Sequence, residues 1–260
     1  MDTVSLQLTD DGSHTLYNVE LNETYHSNNG AIAESEYVFI RSGFDAQLPN
    51  CSKTFSILEV GFGTGLNALM TLGHICQRQL AEALPDISYV SLEPFPIDNQ
   101  LIARLNYPAI LPSVYAPLFQ QIHQAEWEQP TQLQAGFILT KVNSTLERYI
   151  ASAASFDLIY FDAFAPNKQP EVWGLSNLMK CFALLKPSGL LVSYCANGQF
   201  KRNLKAAGFT VKAHPGALGK REMTRAWKPN TADIATVLSG ESQFCGEFTQ
   251  NKMTEMDKRM

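Results

Sequence analysis

The run Phe156-Asp157-Leu158-Ile159-Tyr160-Phe161 reads as a buried strand, and it delivers an acid, Asp162, at its C-terminal end. In open α/β sheets the carboxyl ends of the strands are where ligands bind. A carboxylate placed there can hold or deprotonate an amine, which makes Asp162 the candidate catalytic residue. Ala163-Phe164-Ala165-Pro166 follows at once. The ring of Phe164 can stack on an extruded base beside Pro166, so both are candidate substrate-binding residues. Plainer alternatives stay open: Asp162 as a helix cap or loop acid, Phe164 as simple packing.

A second constellation lies upstream. Glu59-Val60-Gly61-Phe62-Gly63-Thr64-Gly65 joins one apolar run to a helical pattern that starts at Leu66-Asn67. Glycines there let the chain turn tightly and let a ligand approach the main chain, while a helix N-terminus favours an anionic group. The pattern is G-x-G-x-G, without the later glycine of a dinucleotide fingerprint. Glu59, two residues before the first glycine, can approach the ammonium of a methionine moiety. Glu93 ends the next apolar run, 28 residues after Gly65, where a carboxylate can accept hydrogen bonds from both ribose hydroxyls. These features point to S-adenosyl-L-methionine held by Glu59, Gly61, Phe62, Gly63, Thr64, Gly65, Asn67 and Glu93, against the alternative of a ligand-free tight turn. A third group, Gly216 to Met223, sets two glycines beside Lys220 and Arg221. It reads either as a mobile cationic loop fit to grip phosphate or as a surface hairpin.

Positioning these groups needs a sheet. From about Phe55 short apolar runs alternate with longer mixed segments, the pattern of βαβ units and a parallel sheet. Strands are expected at 55–60, 87–93, 136–140, 156–162, 189–195 and 209–213, with a final edge strand at 222–227. Helices are expected at 66–84, 99–105, 144–152, 175–185 and 199–207, with Lys186-Pro187-Ser188-Gly189 as a helix stop and turn and Gly208 as a left-handed cap. The fold expected is a Rossmann-like α/β domain over residues 55–228, its twisted sheet mostly parallel with helices on both faces. Residues 1–54 read as a β element and a helix packed on that core, and residues 229–260 as a polar tail.

A 260-residue chain that is 45% hydrophobic can bury one full core. It has no run long enough to span a bilayer and no secretory signal at its start, so no membrane partner is expected. Five scattered cysteines without a C-x-x-C pair read as reduced thiols of a cytoplasmic protein. The net charge of −5 is uneven, because residues 195–228 carry eight basic residues and one acid, a local +7. That stretch is either a phosphate-meeting face or an ordinary solvated one. No feature specifies an oligomeric state.

Taken together, these blocks resemble the methyltransferase family that completes 5-methylaminomethyl-2-thiouridine at the wobble position of bacterial tRNA. The resemblance covers roughly residues 10–228. It rests on Tyr25-His26-Ser27 with Glu34 to Phe39, on Leu58 to Asn67, on Phe161 to Pro166 through Pro170 to Trp173, and on Gly219 to Met223. It implies methyl transfer from S-adenosyl-L-methionine to the amine of a 5-aminomethyl group in the anticodon region of tRNA. Asp162 is then the acidic catalytic residue and Glu93 the ribose ligand. Where the family usually shows Gly-Asp after strand three this chain has Asn143-Ser144-Thr145, so an amide or hydroxyl is expected to hold adenine, with Asn143 the first candidate. No flavin-binding half can be built from the residues after Lys228, so a stand-alone form is implied, dependent on a separate enzyme for its amine. The rivals are a methyltransferase for a small-molecule or protein amine and a non-catalytic binding module on the same fold. An aminopropyltransferase is a third, opposed by the cationic loop.

Overall fold

The computed structural model describes residues 4–51 and 53–230. Its first element is a small antiparallel sheet of β1 (Val4–Leu8), β2 (His14–Asn18) and β3 (Glu23–Thr24). A helical run follows, from α1 (Ala31–Ser35) through a π-helical stretch (Glu36–Phe44) to α2 (Asp45–Gln47). This is the β element and helix expected before residue 55, and it joins the rest of the chain up to Lys228 in one unit.

The main sheet has eight strands: β4 (Thr54–Val60), β5 (Asp86–Leu92), β6 (Pro130–Gln134), β7 (Phe137–Val142), β8 (Phe156–Phe161), β9 (Leu185–Ser193), β10 (Thr210–His214) and β11 (Met223–Trp227). Their order is β10-β11-β9-β8-β4-β5-β7-β6. The central strands β9, β8, β4, β5 and β7 run parallel, and β6, β11 and β10 add antiparallel pairings. All six residues of β8 are buried. Alternation explains why: Leu158 and Tyr160 join one core, while Ile159 and Phe161 join another on the opposite face. The first core is roofed by the π-helical stretch with α3 (Leu66–Arg78) and α6 (Tyr115–Gln124). The second is roofed by α7 (Leu175–Leu184) and α8 (Gly198–Ala206). The doubly wound arrangement is as expected.

Several boundaries differ. The helix expected to reach residue 84 stops at Arg78, because residues 79–83 are exposed and bury no apolar face. Residues 144–152 form turns, with Leu146 buried and Ile150 90% exposed, so there is no stripe to hold a helix on the core. The strand expected at the sheet edge, β11, lies between β10 and β9 and buries Met223, Thr224 and Ala226; β10 takes the edge. Lys186 to Gly189 lies within β9 as an irregularity, with Ser188 at φ 63°. Gly208 has the positive φ expected of a cap. The segment between β5 and β7 holds α4 (Asn99–Ile102), α5 (Tyr107–Ile110), α6 and β6, of which only the first was expected.

No helix among the described residues is long and apolar enough to cross a membrane. Cys51, Cys76, Cys181 and Cys195 are free thiols. Cys245 and the rest of the expected tail from residue 231 lie outside the described residues.

Candidate active site

A cavity of about 820 Å³ opens at the C-terminal ends of β4, β5 and β8. It brings together Gly61, Phe62, Gly63 and Asn67 from the glycine loop, Glu93 beyond β5, and Asp162 and Phe164 beyond β8. Residues from β1 and β2, together with Tyr25 and His26, close one side. The volume suits a cofactor together with one nucleoside-sized group.

The glycine loop is shaped by crossing chains. Gly61 sits at φ 98°, and a Cβ there would stand 2.5 Å from the Asp162 carbonyl oxygen. Only glycine lets the two segments cross so closely. The Asp162 amide in turn donates to the Val60 carbonyl at 2.9 Å. Amides of Gly61 and Phe62 donate to the Leu92 carbonyl, and that of Gly63 to Glu93 Oε2 at 3.0 Å. The loop's amides are therefore committed largely to the protein. Its Thr64 hydroxyl is buried against His26 and Tyr107 and does not line the cavity, and neither does Gly65.

Glu93 faces the cavity with one backbone N–H on each oxygen, Gly63 on Oε2 and Phe95 on Oε1. Burial raises its pKa and those two N–H groups oppose the rise. The remaining lone pairs suit a vicinal diol. Glu59 behaves differently. It is fully buried beneath the loop, its Oε2 accepting the Ser91 hydroxyl at 2.5 Å while Oε1 has no partner in bonding geometry. Burial, with the nearby Asp162 charge, pushes it up to about 8. Asn67 and the Tyr89 hydroxyl lie near enough to Glu59 to oppose that rise, and Glu59 is not on the cavity wall. Asn143 is exposed and its backbone N–H donates to Glu128; Ser144, Thr145 and Leu146 line the cavity in its stead.

Asp162 is held by Asn67, whose Nδ2 donates to Oδ2 at 2.7 Å; the Asn67 oxygen accepts the Ser35 hydroxyl at 2.7 Å. Burial raises Asp162 to about 7, helped by the charge of Glu34 and opposed by Asn67 and Lys220. The segment after it is pinned from four directions. The Tyr194 hydroxyl donates to the Ala163 carbonyl, Trp173 Nε1 to the Phe164 carbonyl at 2.8 Å, and the Ala165 amide to Glu23. The Phe164 ring meets Tyr25 edge-on, centroids 4.8 Å apart. Pro166 is partly buried and is not on the cavity wall.

The two cations of the glycine-flanked loop part company. Arg221 is exposed, whereas Lys220 turns inward to an ion pair with Glu34 and lies 5.5 Å from the Tyr194 ring. Lys201 pairs with Glu222, and Lys228 donates to the carbonyls of Phe182 and Leu185. Arg202, Lys205, Lys212 and Arg221 are the exposed members of the basic stretch. The residue types of Tyr25, His26, Glu34, Ser35, Trp173 and Tyr194 do not by themselves point to a role. For all of these except Tyr194 the only hint is their place in the family-like blocks. Among the described residues no cluster of three or more metal-ligating side chains occurs.

Doubly wound sheet, glycine loop, Glu93 beyond the second core strand and an acid beyond the fourth define a Rossmann-like S-adenosyl-L-methionine-dependent methyltransferase. Residues 112–229 match a family model described as S-adenosyl-L-methionine-dependent methyltransferase. The chain is 30% identical over 233 residues to the tRNA 5-methylaminomethyl-2-thiouridine biosynthesis bifunctional protein MnmC of Burkholderia multivorans, covering 84% of this chain and 34% of that protein. It is 31% identical over 218 residues to its counterpart in Cupriavidus necator, covering 81% and 32%. The crystal structure of MNMC2 from Aquifex aeolicus superposes with a TM-score of 0.72 at 26% identity, over 87% of this chain and 70% of that one. The chain thus spans about a third of the length of the curated relatives it matches. Over most of its length the chain is similar to a part of the MnmC proteins, and its residues 112–229 carry the methyltransferase match.

Proposed function

We propose that this protein methylates the primary amine of a 5-aminomethyl group on wobble uridine in tRNA, giving 5-methylaminomethyl-2-thiouridine. The observation that carries the reading is Asp162: a carboxylate poised near neutrality, fixed by Asn67, on a cavity wall shared with the glycine loop, Glu93 and Phe164. The names of the MnmC relatives point to the same product.

When bound, S-adenosyl-L-methionine would supply an electrophilic methyl group, the amine lone pair forming the new N–C bond as the C–S bond breaks and a neutral thioether leaves. Glu93 would hold its ribose, and the loop from Gly61 to Gly63 would hold its methionine portion. Asn67 occupies Asp162 Oδ2, so Oδ1 is the oxygen that takes the amine proton. An alkyl amine is mostly protonated at pH 7, and a carboxylate titrating near that pH is matched to accept its proton. Phe164 provides a surface for the extruded base. Catalysis is chiefly alignment, which the four-way pinning of residues 162–165 serves. The exposed cations of α8 and the following loop meet tRNA phosphates. A preceding enzymatic step supplies the amine. The test is mass spectrometry of tRNA nucleosides from a deletion strain, paired with methylation of 5-aminomethyl tRNA by the purified protein. Unchanged nucleosides and no transfer in vitro would remove tRNA as the substrate.

A further inference from the structure

Tyr25 stands where the two halves of the site meet. Its backbone is set by the amide donating to the Leu16 carbonyl at 2.8 Å, just past β3. Its ring lies against the glycine loop, so that a Cβ at Gly63 would stand 3.2 Å from its Cδ1. The same ring meets Phe164 at an interplanar angle of 77°. An edge-on pair uses the edge of one ring and one face of the other, which leaves ring face for the cavity both residues line.

The neighbouring groups show what such a wall would recognise. His26, next in sequence, is buried between the hydroxyls of Thr15 and Thr64 and driven down to about 4 by burial, so it brings no positive charge. Lys220, whose charge acts on Asp162, is paired with Glu34, and Arg104 lines the cavity as well. Burial, with the charge of Glu93, pushes the Tyr25 hydroxyl up to about 12, so the phenol stays neutral. None of the groups that touch the Tyr25 and Phe164 rings above carries a positive charge, which leaves their faces to a cationic ligand. Methyl transfer carries one positive charge from a sulfonium to an ammonium, and aromatic faces attract cations most strongly where water is excluded.

We propose that Tyr25 and Phe164 form an aromatic wall that selects for positive charge at the methyl-transfer junction, which makes the N-terminal sheet part of the specificity apparatus. The proposal rests on the methyl-transfer reading of the cavity. Calorimetry on the full chain tests it with three ligands: S-adenosylmethionine, sinefungin, which carries an ammonium near the methyl position, and S-adenosylhomocysteine, a neutral thioether. Tyr25→Leu should lower affinity for the two cations about three- to tenfold relative to the thioether, while Tyr25→Phe stays within about twofold of wild type. Loss of packing lowers all three affinities alike and cancels in the ratio. Phe164→Leu should move the ratio in the same direction and decides the matter if Tyr25→Leu does not fold. A ratio unchanged in the leucine variants, or Tyr25→Phe behaving as Tyr25→Leu, overturns the wall. None of this needs an acceptor. A charge-selective pocket in a protein that leaves tRNA unmodified would discard the tRNA substrate and keep the wall.

Discussion

Replacing Asp162 by Asn should make the protein more stable and nearly inactive. In the folded chain the carboxyl titrates at about 7, against an ordinary value of 3.8. Between those values the unfolded chain has released a proton that the native chain still holds, so stability falls as pH rises through the window. A difference of about 3 in pKa corresponds to roughly 4 kcal/mol at about 1.4 kcal/mol each. Asp162 keeps some access to cavity water, which reduces this to about 1–3 kcal/mol. That cost accrues between about pH 4 and pH 7, roughly 60% of it above pH 5. The amide of the variant can still accept from Asn67, so the local bond survives. Urea denaturation of both proteins at pH 5 and pH 8 should show the variant's advantage growing by about 1–2 kcal/mol with pH. Glu59 responds in the same sense, since loss of the Asp162 charge eases its ionisation. Single-turnover methylation should fall roughly 10²–10⁴-fold with cofactor affinity nearly intact. A stability difference independent of pH, or a rate within about threefold of wild type, would refute the assignment of a costly ionised base.

The wild-type kcat/KM should rise with pH through a limb near 7, as Asp162 loses its proton in the free enzyme, and Asp162→Asn should lack that limb. Glu93→Ala should weaken S-adenosylmethionine by roughly 1–3 kcal/mol in calorimetry, through lost ribose bonds and unpaired amides of Gly63 and Phe95. Lys220→Ala leaves Glu34 uncompensated beside Asp162, so the pH–rate limb should move upward while the salt dependence of tRNA binding hardly changes. Arg221→Ala should do the reverse, reducing the slope of log K against log salt by roughly one and sparing the limb. Equal effects of the two variants on tRNA binding would mean that Lys220 reaches phosphate.

The local features were legible from residue order. A glycine loop between an apolar run and a helix, an acid at the end of the next run, and Asp162 closing a run that proves fully buried are each written within a few residues. Strand alternation and turn chemistry act at that range, so the central sheet and one wall of the cavity followed. The repeat Tyr115, Leu118, Phe119, Ile122 was equally available and marks α6, a helix absent from the elements expected of the sequence. Other outcomes depended on partners far along the chain. Nothing near Lys220 tells it to turn from solvent to Glu34, and nothing near Tyr25 tells it to lie against Gly63 and Phe164. Only packing of the first 50 residues onto the sheet brings these groups together. The place of β11 between β10 and β9, and the unwound residues 144–152 along the cavity, have the same origin. Propensity and periodicity are short-range energies. Which carboxylate a lysine finds, and which ring a tyrosine meets, is decided by burial shared across the whole fold.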